Sequence, residues 1–236
     1  MQVIYHQQTL DLLDQTLIED HSQTLAQWAQ QQHLAVPASV EQWYGLPTGV
    51  DILRRHSNDD HVFEPQDFQL VRYQDFPIIV FMLETQSCCR WGIWLTGSND
   101  PPVLIQDLTK PADWEICAER FSLFTYTQVF DWQYVLAEVE ETGNEDRWWT
   151  RAAPPQETML AHLRTFYTPK PSTWTYPGLS VQRFSRGQQG IIISTAGDQS
   201  ATWALLGATE PARWELRASI QRLWSSLGIW YEPFTD

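Results

Sequence analysis

The chain of 236 residues has few of the features that would place it in a membrane or an oxidising compartment. Its longest apolar run, residues 78–83, falls far short of the roughly 18 apolar residues of a membrane span. The first residues lack the basic and apolar segments of a secretory signal peptide. It has only three cysteines, and the adjacent pair Cys88 and Cys89 argues against a disulfide framework. We expect a cytoplasmic protein without membrane contact.

Basic residues are scarce relative to acidic ones. The chain has 15 lysines and arginines against 29 aspartates and glutamates, a formal net charge of −14. Because nucleic-acid-binding proteins need a basic face for the phosphates, this balance argues against a nucleic-acid partner. The same charge attracts a basic protein, since opposite charges speed the encounter of two proteins. Solubility alone is the other interpretation.

The sequence contains no familiar motif of a hydrolase or a nucleotide-binding protein. The Gly-x-Ser-x-Gly elbow and the lysine-bearing phosphate loop are both absent. Residues 185–190 contain two glycines, but these residues lie between two strand-like runs. They therefore predict a hairpin turn, because no helix follows to hold an anion.

The residue types of a metal centre come together between residues 56 and 61. His56, Asp59 and His61 could surround one divalent ion, because imidazole and carboxylate groups bind zinc. The alternative is an ordinary polar loop between a helix and a strand. We favour the loop and expect neither a metal nor a cofactor.

The adjacent cysteines are a second candidate for chemistry. Cys88 and Cys89 precede Arg90, whose charge would favour a thiolate if a cysteine were exposed. A nucleophile also needs a base within hydrogen-bond reach, and no histidine is near in the sequence. Free cysteines at the start of a strand are usually small buried hydrophobes. We expect no catalytic residue here.

Tryptophan and clustered acidic residues are abundant instead. Of the 13 tryptophans, Trp148 and Trp149 stand in a polar neighbourhood and are candidates for exposed contacts. We predict that acidic loops and this aromatic pair contact a partner, with solvated loops as the alternative interpretation. The candidate partner-binding residues are Asp59, Asp60, Asn99, Asp100, Glu140, Glu141, Glu145, Asp146, Trp148 and Trp149.

Apolar spacing predicts helices toward both ends of the chain and strands between them. Spacings of three and four predict helices over residues 9–32 and 157–167, and a further one after Pro37. Alternating or continuous apolar runs predict strands over residues 68–73, 77–84, 90–95 and 103–105. Another amphipathic helix, capped by Asp113, is predicted from Trp114 to Phe124. The fold class is α+β, with a mixed or antiparallel sheet and flanking helices.

Composition divides the chain into three parts. Residues 1–139 form an α+β region, residues 140–156 an acidic and proline-containing connector, and residues 157–236 a smaller strand-strand-helix region. The last region repeats the order of the first: an aliphatic strand, a turn, a tryptophan-centred strand, and a helix carrying Trp-Glu. Trp114 and Trp214 occupy matching places in this order, which indicates a degenerate duplication or a chance likeness.

Residues 25–130 resemble the SUKH superfamily of bacterial immunity proteins and fungal cell-wall-assembly regulators. The residues that carry the resemblance are Val36, Pro37, Trp43, Tyr44, Trp91, Trp94, the turn at 97–103, Trp114, Phe121 and Phe124. The family usually has an Asn-Gly turn after its second helix, where this chain has Asn58 and Asp59. The resemblance implies an α+β domain that binds partner proteins and, in many bacterial members, neutralises a toxin.

Together, these features predict a non-catalytic protein-binding module. The concrete form of the prediction is an immunity-type protein that neutralises a basic toxin domain. The first alternative is a housekeeping scaffold or regulatory module that docks on a host complex. The second is a metal-dependent hydrolase that uses His56, Asp59 and His61. The sequence leaves the oligomeric state open.

Overall fold

A computed structural model describes most of the chain as helices and antiparallel sheets, which confirms the α+β class. The described residues are 3–16, 22–57, 60–109, 113–133, 148–152, 157–174, 179–187, 189–196, 202–208, 218 and 222. The chain divides into two compact units, residues 1–130 and 131–236. This division comes earlier than the connector predicted at residues 140–156.

The first unit places helices before and after a sheet. Its helices are α1 (Gln7–Leu12), α2 (Gln23–Gln32), α3 (Ala38–Tyr44), α4 (Gly49–Arg55) and the start of α5 (Phe121–Asp131). Its strands are β1 (His61–Val62), β2 (Gln69–Tyr73), β3 (Phe76–Leu83), β4 (Cys89–Trp94), β5 (Val103–Asp107) and β6 (Glu115–Ala118). A single 3-10 turn, Pro65–Asp67, lies between β1 and β2.

All described strand pairs of this sheet are antiparallel. The strand order is β1-β3-β4-β5-β6, and β2 pairs with another part of β3. In β3 the register shifts between Val80 and Met82, which is the signature of a bulge. Strands β2 and β6 therefore lie at opposite edges of the sheet.

The two faces of the sheet differ in what covers them. One, here called the inner face, carries residues such as Ile79, Phe81 and Ile93, which share one buried apolar core with residues of α1 to α5. The opposite side, the outer face, carries a smaller buried group, Ile78, Val80, Leu104 and Trp114. Alternation along each strand produces this division, because successive side chains point to opposite faces.

One predicted helix is wrong and one is divided. Residues 115–118 form β6, so the helix predicted from Trp114 and capped by Asp113 does not start there. The apolar spacing also fits a short edge strand followed by α5, which begins only at Phe121. The helix predicted over residues 9–32 is two helices, α1 and α2, and Ser22 caps the second by accepting a hydrogen bond from Leu25 N.

The second unit also combines antiparallel strands with a helix. Its elements are β7 (Trp148–Ala152), α6 (Glu157–Phe166), β8 (Thr168–Trp174), β9 (Leu179–Arg186), β10 (Gln189–Ala196) and β11 (Thr202–Ala208). The strand order is β7-β11-β10-β9-β8, and α6 contacts β8 and β9. Strands β9 and β10 form a hairpin, as predicted for residues 185–190.

A buried ion pair lies inside this unit. Arg183 is almost fully buried, and its Nε and Nη2 atoms each donate to the Asp131 carboxylate at 2.6 Å. Its Nη1 donates to Thr173 Oγ1 at 2.8 Å. Burial raises the pKa of Asp131, and the Arg183 guanidinium opposes this change. All three nitrogens of the buried guanidinium therefore donate hydrogen bonds, two of them to a carboxylate.

Two predictions about the chain's organisation, the connector at residues 140–156 and the duplication, can be compared in part with the structure. Residues 148–152, predicted within the connector, form a strand because Trp148 and Trp149 pair with β11. Both predicted copies contain an antiparallel strand pair, β3-β4 and β10-β11. In the first copy, however, Glu115 begins a strand rather than a helix. Trp214 lies outside the described residues, so the duplication stays a prediction.

Candidate functional site

The structure describes the side chains of three of the ten predicted partner-binding residues, Asp60, Asn99 and Asp100. Asp59, Glu140, Glu141, Glu145 and Asp146 lie outside the described residues. Of Trp148 and Trp149 only the backbone, in β7, is described. Asp60 is buried, whereas the Asn99 side chain is exposed.

Asp100 has a structural task. Its carboxylate accepts a hydrogen bond from Ser122 N at 3.0 Å and another from Ser122 Oγ at 2.5 Å. Ser122 lies in the first turn of α5, whose N–H groups have no partner within the helix. The negative charge also suits the positive end of the helix dipole. Asp100 therefore acts as an N-cap from a distant turn, and the neighbouring Asn99 carbonyl accepts from Ser39 N.

Asp60 borders an open cleft of about 620 Å³ beside β1. Glu64 and Asp67 also line it, together with Arg54 and His61. The Arg54 guanidinium lies 3.2 Å from Asp51 and 3.2 Å from Glu64. The cleft is consequently acidic, but its arginine is already paired.

The proposed metal ligands are not gathered around one centre. His56 is buried, and its Nδ1 lies 2.5 Å from the Ile52 carbonyl oxygen. His61 is exposed on β1, and Asp59 lies outside the described residues. Within the described ranges, no three histidine, cysteine or acidic side chains could hold a metal ion together.

The adjacent cysteines have different environments. Cys89 is buried on β4, and burial raises the pKa of its thiol to about 12. Cys88 is partly exposed. Arg90 is directed elsewhere: its guanidinium stacks on Trp114 at 5.2 Å from the ring centre, and its Nε donates to Gln106. The geometry gives Cys89 the buried, protonated character of a core residue.

The outer face of the first sheet is the most distinctive surface of the described chain. Cross-strand pairing places Val71, Ile78 and Trp94 in one row of this face. The next row contains Val80, Gly92, Leu104 and Ile116. Ile116, at the β6 edge, is 50% exposed. Apolar side chains thus run across the sheet from β2 to β6.

Three aromatic residues form one end of this face, here called the aromatic corner: Tyr73, Phe76 and Trp94. The Trp94 ring lies 5.9 Å from Tyr73 and 6.0 Å from Phe76 between ring centres, the latter pair edge to face. Phe76 is 44% exposed, and the other two are partly exposed. Such edge-to-face pairs give a rigid surface with large apolar area.

The β2-β3 turn next to the aromatic corner has an unusual backbone. Gln74 and Asp75 have φ angles of 47° and 65°, in the left-handed region where non-glycine residues are uncommon. Consecutive positive φ values fit a tight two-residue hairpin, which usually contains Asn-Gly. Gln74 Nε2 donates to Tyr73 Oη at 3.0 Å, and the Asp75 side chain is exposed. The turn therefore holds the Tyr73 hydroxyl and places a negative charge beside Phe76.

The other part of the outer face is closed by Trp114. Its ring lies over Gly92, where an added Cβ atom would come 3.1 Å from Trp114 Cη2. Arg90 stacks on the same indole in a cation-π contact. The centre of the face is therefore buried, and its exposed surface lies at its two ends.

The residues predicted to bind a partner do not include the aromatic corner, although the sequence carries a signal for it. The alternation of β4 places Trp94 on the face opposite to that of Trp91 and Ile93. The alternation of β2 likewise places Tyr73 on the same face of its strand as Val71. That both face the same side follows only from the β2-β3-β4 register. The acidic loops are conspicuous in sequence, whereas this corner is assembled from three strands.

Comparison with protein-family models, curated proteins and solved structures found no match for this chain. None of the helices in the described ranges combines the length and the apolar character that a bilayer span requires.

Proposed function

We propose that this chain is a non-catalytic protein-binding module, in concrete form an immunity-type protein that neutralises a basic toxin domain. The aromatic corner and the neighbouring outer face are its docking surface. The observation that carries this proposal is the half-exposed Phe76 packed against Trp94 and Tyr73.

The composition of the corner supports protein binding. Tryptophan and tyrosine are enriched among the residues that dominate binding energy, and they act best when a partner excludes water around them. The Trp94 ring is fixed from two sides, so little side-chain freedom would be lost in a complex. A preformed aromatic patch of this kind favours a rigid partner surface.

Charge supports a basic partner. The chain carries a net charge of −14, and the exposed Asp75 stands directly beside Phe76. A lysine or arginine of the partner can therefore stack on an aromatic ring while it approaches a carboxylate. The overall charge accelerates the encounter, and salt weakens this effect.

The resemblance of residues 25–130 to the SUKH superfamily is in line with this proposal. Its immunity members bind toxins stoichiometrically, which requires a surface rather than an active site. The housekeeping scaffold remains the competing function, and the identity of the captured partner separates the two.

The test is affinity capture from the native host with the tagged full chain as bait, at low and high salt. We expect one basic, toxin-like protein that is lost as salt rises. Recovery of a housekeeping complex would favour the scaffold. Failure to capture any protein in stoichiometric amount from toxin-expressing cells would contradict the proposal.

Matched variants locate the surface. Phe76→Ser removes an exposed ring of the corner, whereas Leu70→Ser alters a residue of β2 that alternation places on the opposite face. The two side chains are similarly exposed, at 44% and 41%. We expect Phe76→Ser to weaken binding of the purified partner roughly tenfold or more, as for a central contact residue. Equal effects of the two substitutions would refute docking at the corner.

A further inference from the structure

The backbone of the N-terminal segment of the first unit, residues 3–16, is bound by the Gln42 side chain of α3. Gln42 Oε1 accepts hydrogen bonds from Tyr5 N at 2.7 Å and from His6 N at 3.3 Å. Gln42 Nε2 donates to the Val3 carbonyl at 3.3 Å. Leu10, one turn later, is buried in the main core. Leu12 and Leu13 pack against the same core.

His6 is the deepest anchor of this segment. The ring is fully buried, 4.8 Å from Trp43 and 5.7 Å from Phe121 between ring centres. Its Nε2 lies 2.8 Å from the Ser39 carbonyl oxygen, and its Nδ1 lies 3.0 Å from Thr125 Oγ1. A side chain that can gain a positive charge is therefore enclosed by two aromatic rings.

The hydrogen bonds define the proton positions. A carbonyl oxygen can only accept, so Nε2 carries the hydrogen and Nδ1 of the neutral ring is an acceptor. The Thr125 hydroxyl has one hydrogen and two acceptors within 3.0 Å, His6 Nδ1 and the Ser122 carbonyl. When His6 is neutral, the Thr125 hydroxyl donates its hydrogen to His6 Nδ1. If Nδ1 gained a proton, it would donate to Thr125, whose hydroxyl would turn to Ser122.

Burial, rather than a neighbouring charge or the hydrogen bonds, opposes protonation of the docked His6 ring. The charged group acting on the ring is Asp100, in the turn after β4, which favours the imidazolium. From α3 and α5 the ring meets uncharged groups: the Ser39 carbonyl, Trp43, Phe121 and Thr125. Burial is the larger effect and lowers the pKa of His6 to about 4.

We propose that His6 is an acid-operated latch: the neutral ring holds residues 3–16 on the first unit, and protonation releases this segment while the sheet stays folded. The device is separate from the docking function proposed above. Release follows because a detached His6 in water takes up a proton that the docked ring resists.

The size of the effect follows from the two proton affinities. A free histidine has a pKa near 6.5, and docked His6 has one of about 4. Between pH 7 and pH 5 the opening equilibrium of the segment should therefore rise about 20-fold. Docking is strongest above pH 6.5 and declines as the pH falls toward 4, since the open state binds more protons over that range.

The test is amide hydrogen exchange of the full chain at pH 7 and pH 5, expressed as protection factors relative to the unstructured chain. Leu10 N donates to the His6 carbonyl and reports on the segment, whereas Ile79 and Ile93, paired across β3 and β4, report on the sheet. We expect Leu10 protection to fall about 20-fold and to remain below that of the sheet at both pH values.

Two substitutions separate the latch from general acid sensitivity. His6→Gln keeps a donor for the Ser39 carbonyl and should remove the pH dependence of Leu10 protection, whereas His61→Gln, at an exposed histidine of the same unit, should preserve it. If His6→Gln does not dock, Gln42→Ala provides the second test: lower Leu10 protection at pH 7 with the same fold-change on acidification. Unchanged protection in the natural chain, or equal opening of Leu10 and the sheet at pH 5, overturns the proposal.

Discussion

Gly92, at the centre of the outer face, makes the sharpest prediction about the packing of the first unit. A Cβ atom at this position would fall far inside van der Waals contact of Ile78 Cγ2 and 3.1 Å from two atoms of the Trp114 ring. Ile78 is fully buried and Trp114 nearly so. Neither side chain can therefore move aside into solvent, and the added methyl group must displace packed neighbours.

For Gly92→Ala we expect a loss of about 2 kcal/mol in the free energy of unfolding, the usual cost of overpacking a full core. Ile78→Ala alone should cost about 3 kcal/mol, because it leaves a cavity. In the double variant the alanine methyl at position 92 fills part of that cavity. The double variant should therefore be at least about 1 kcal/mol more stable than the sum of the single effects predicts.

Urea unfolding followed by tryptophan fluorescence measures all four proteins of this cycle. Val80→Ala, on the same strand and face, is the control partner, because the added Cβ has no Val80 atom among its three nearest neighbours. Coupling of Gly92→Ala to Ile78→Ala should exceed its coupling to Val80→Ala. Additivity with Ile78→Ala to within about 0.5 kcal/mol would refute the argument.

Two further substitutions test single contacts. Asp100→Ala removes the distant cap of α5 and should cost about 1 kcal/mol in urea unfolding, whereas Asn99→Ala, at the neighbouring exposed side chain, should cost little; equal costs would contradict the capping role. Arg183→Met leaves the partly buried Asp131 without its partner and should cost about 3 kcal/mol at pH 7, with much of the loss recovered in the double variant that also carries Asp131→Leu. No recovery would show that the ion pair itself, rather than the uncompensated charge, provides the stability.

Four strands of the first unit, β2 to β5, could be predicted because their signals are local. Alternation in β2 and β4 and the continuous apolar run of β3 each lie within a few residues, and the predicted strands match the observed ones closely. The helix α6 was predicted to within one residue for the same reason. Local periodicity is sufficient where one face of an element is buried.

Strand β6 shows where periodicity fails. Cys117 and Ala118 are buried at the end of a four-residue strand, and Phe121 and Phe124 are buried on the helix that follows. Their combined spacing imitates a single helix, although two elements share the same core. The true helix start depends on Asp100, which is 22 residues away from Ser122. No local pattern contains that contact.

The candidate site required the same kind of distant information. Acidic loops are visible in any sequence window, whereas the aromatic corner depends on a hairpin register that brings Tyr73 opposite Phe76 and a second pairing that adds Trp94. The structure also assigns Asp100 to capping, which composition alone cannot distinguish from partner binding.

The separation of the two sheet faces has an evolutionary consequence. Folding depends on the inner face, where Ile79 and Phe81 are fully buried, whereas the corner ends in the exposed residues Asp75 and Phe76. Exposed substitutions usually change stability by no more than about 0.5 kcal/mol. A lineage can therefore exchange Phe76 freely, and Asp75 among residues that tolerate a positive φ angle, while the scaffold that presents them is inherited unchanged.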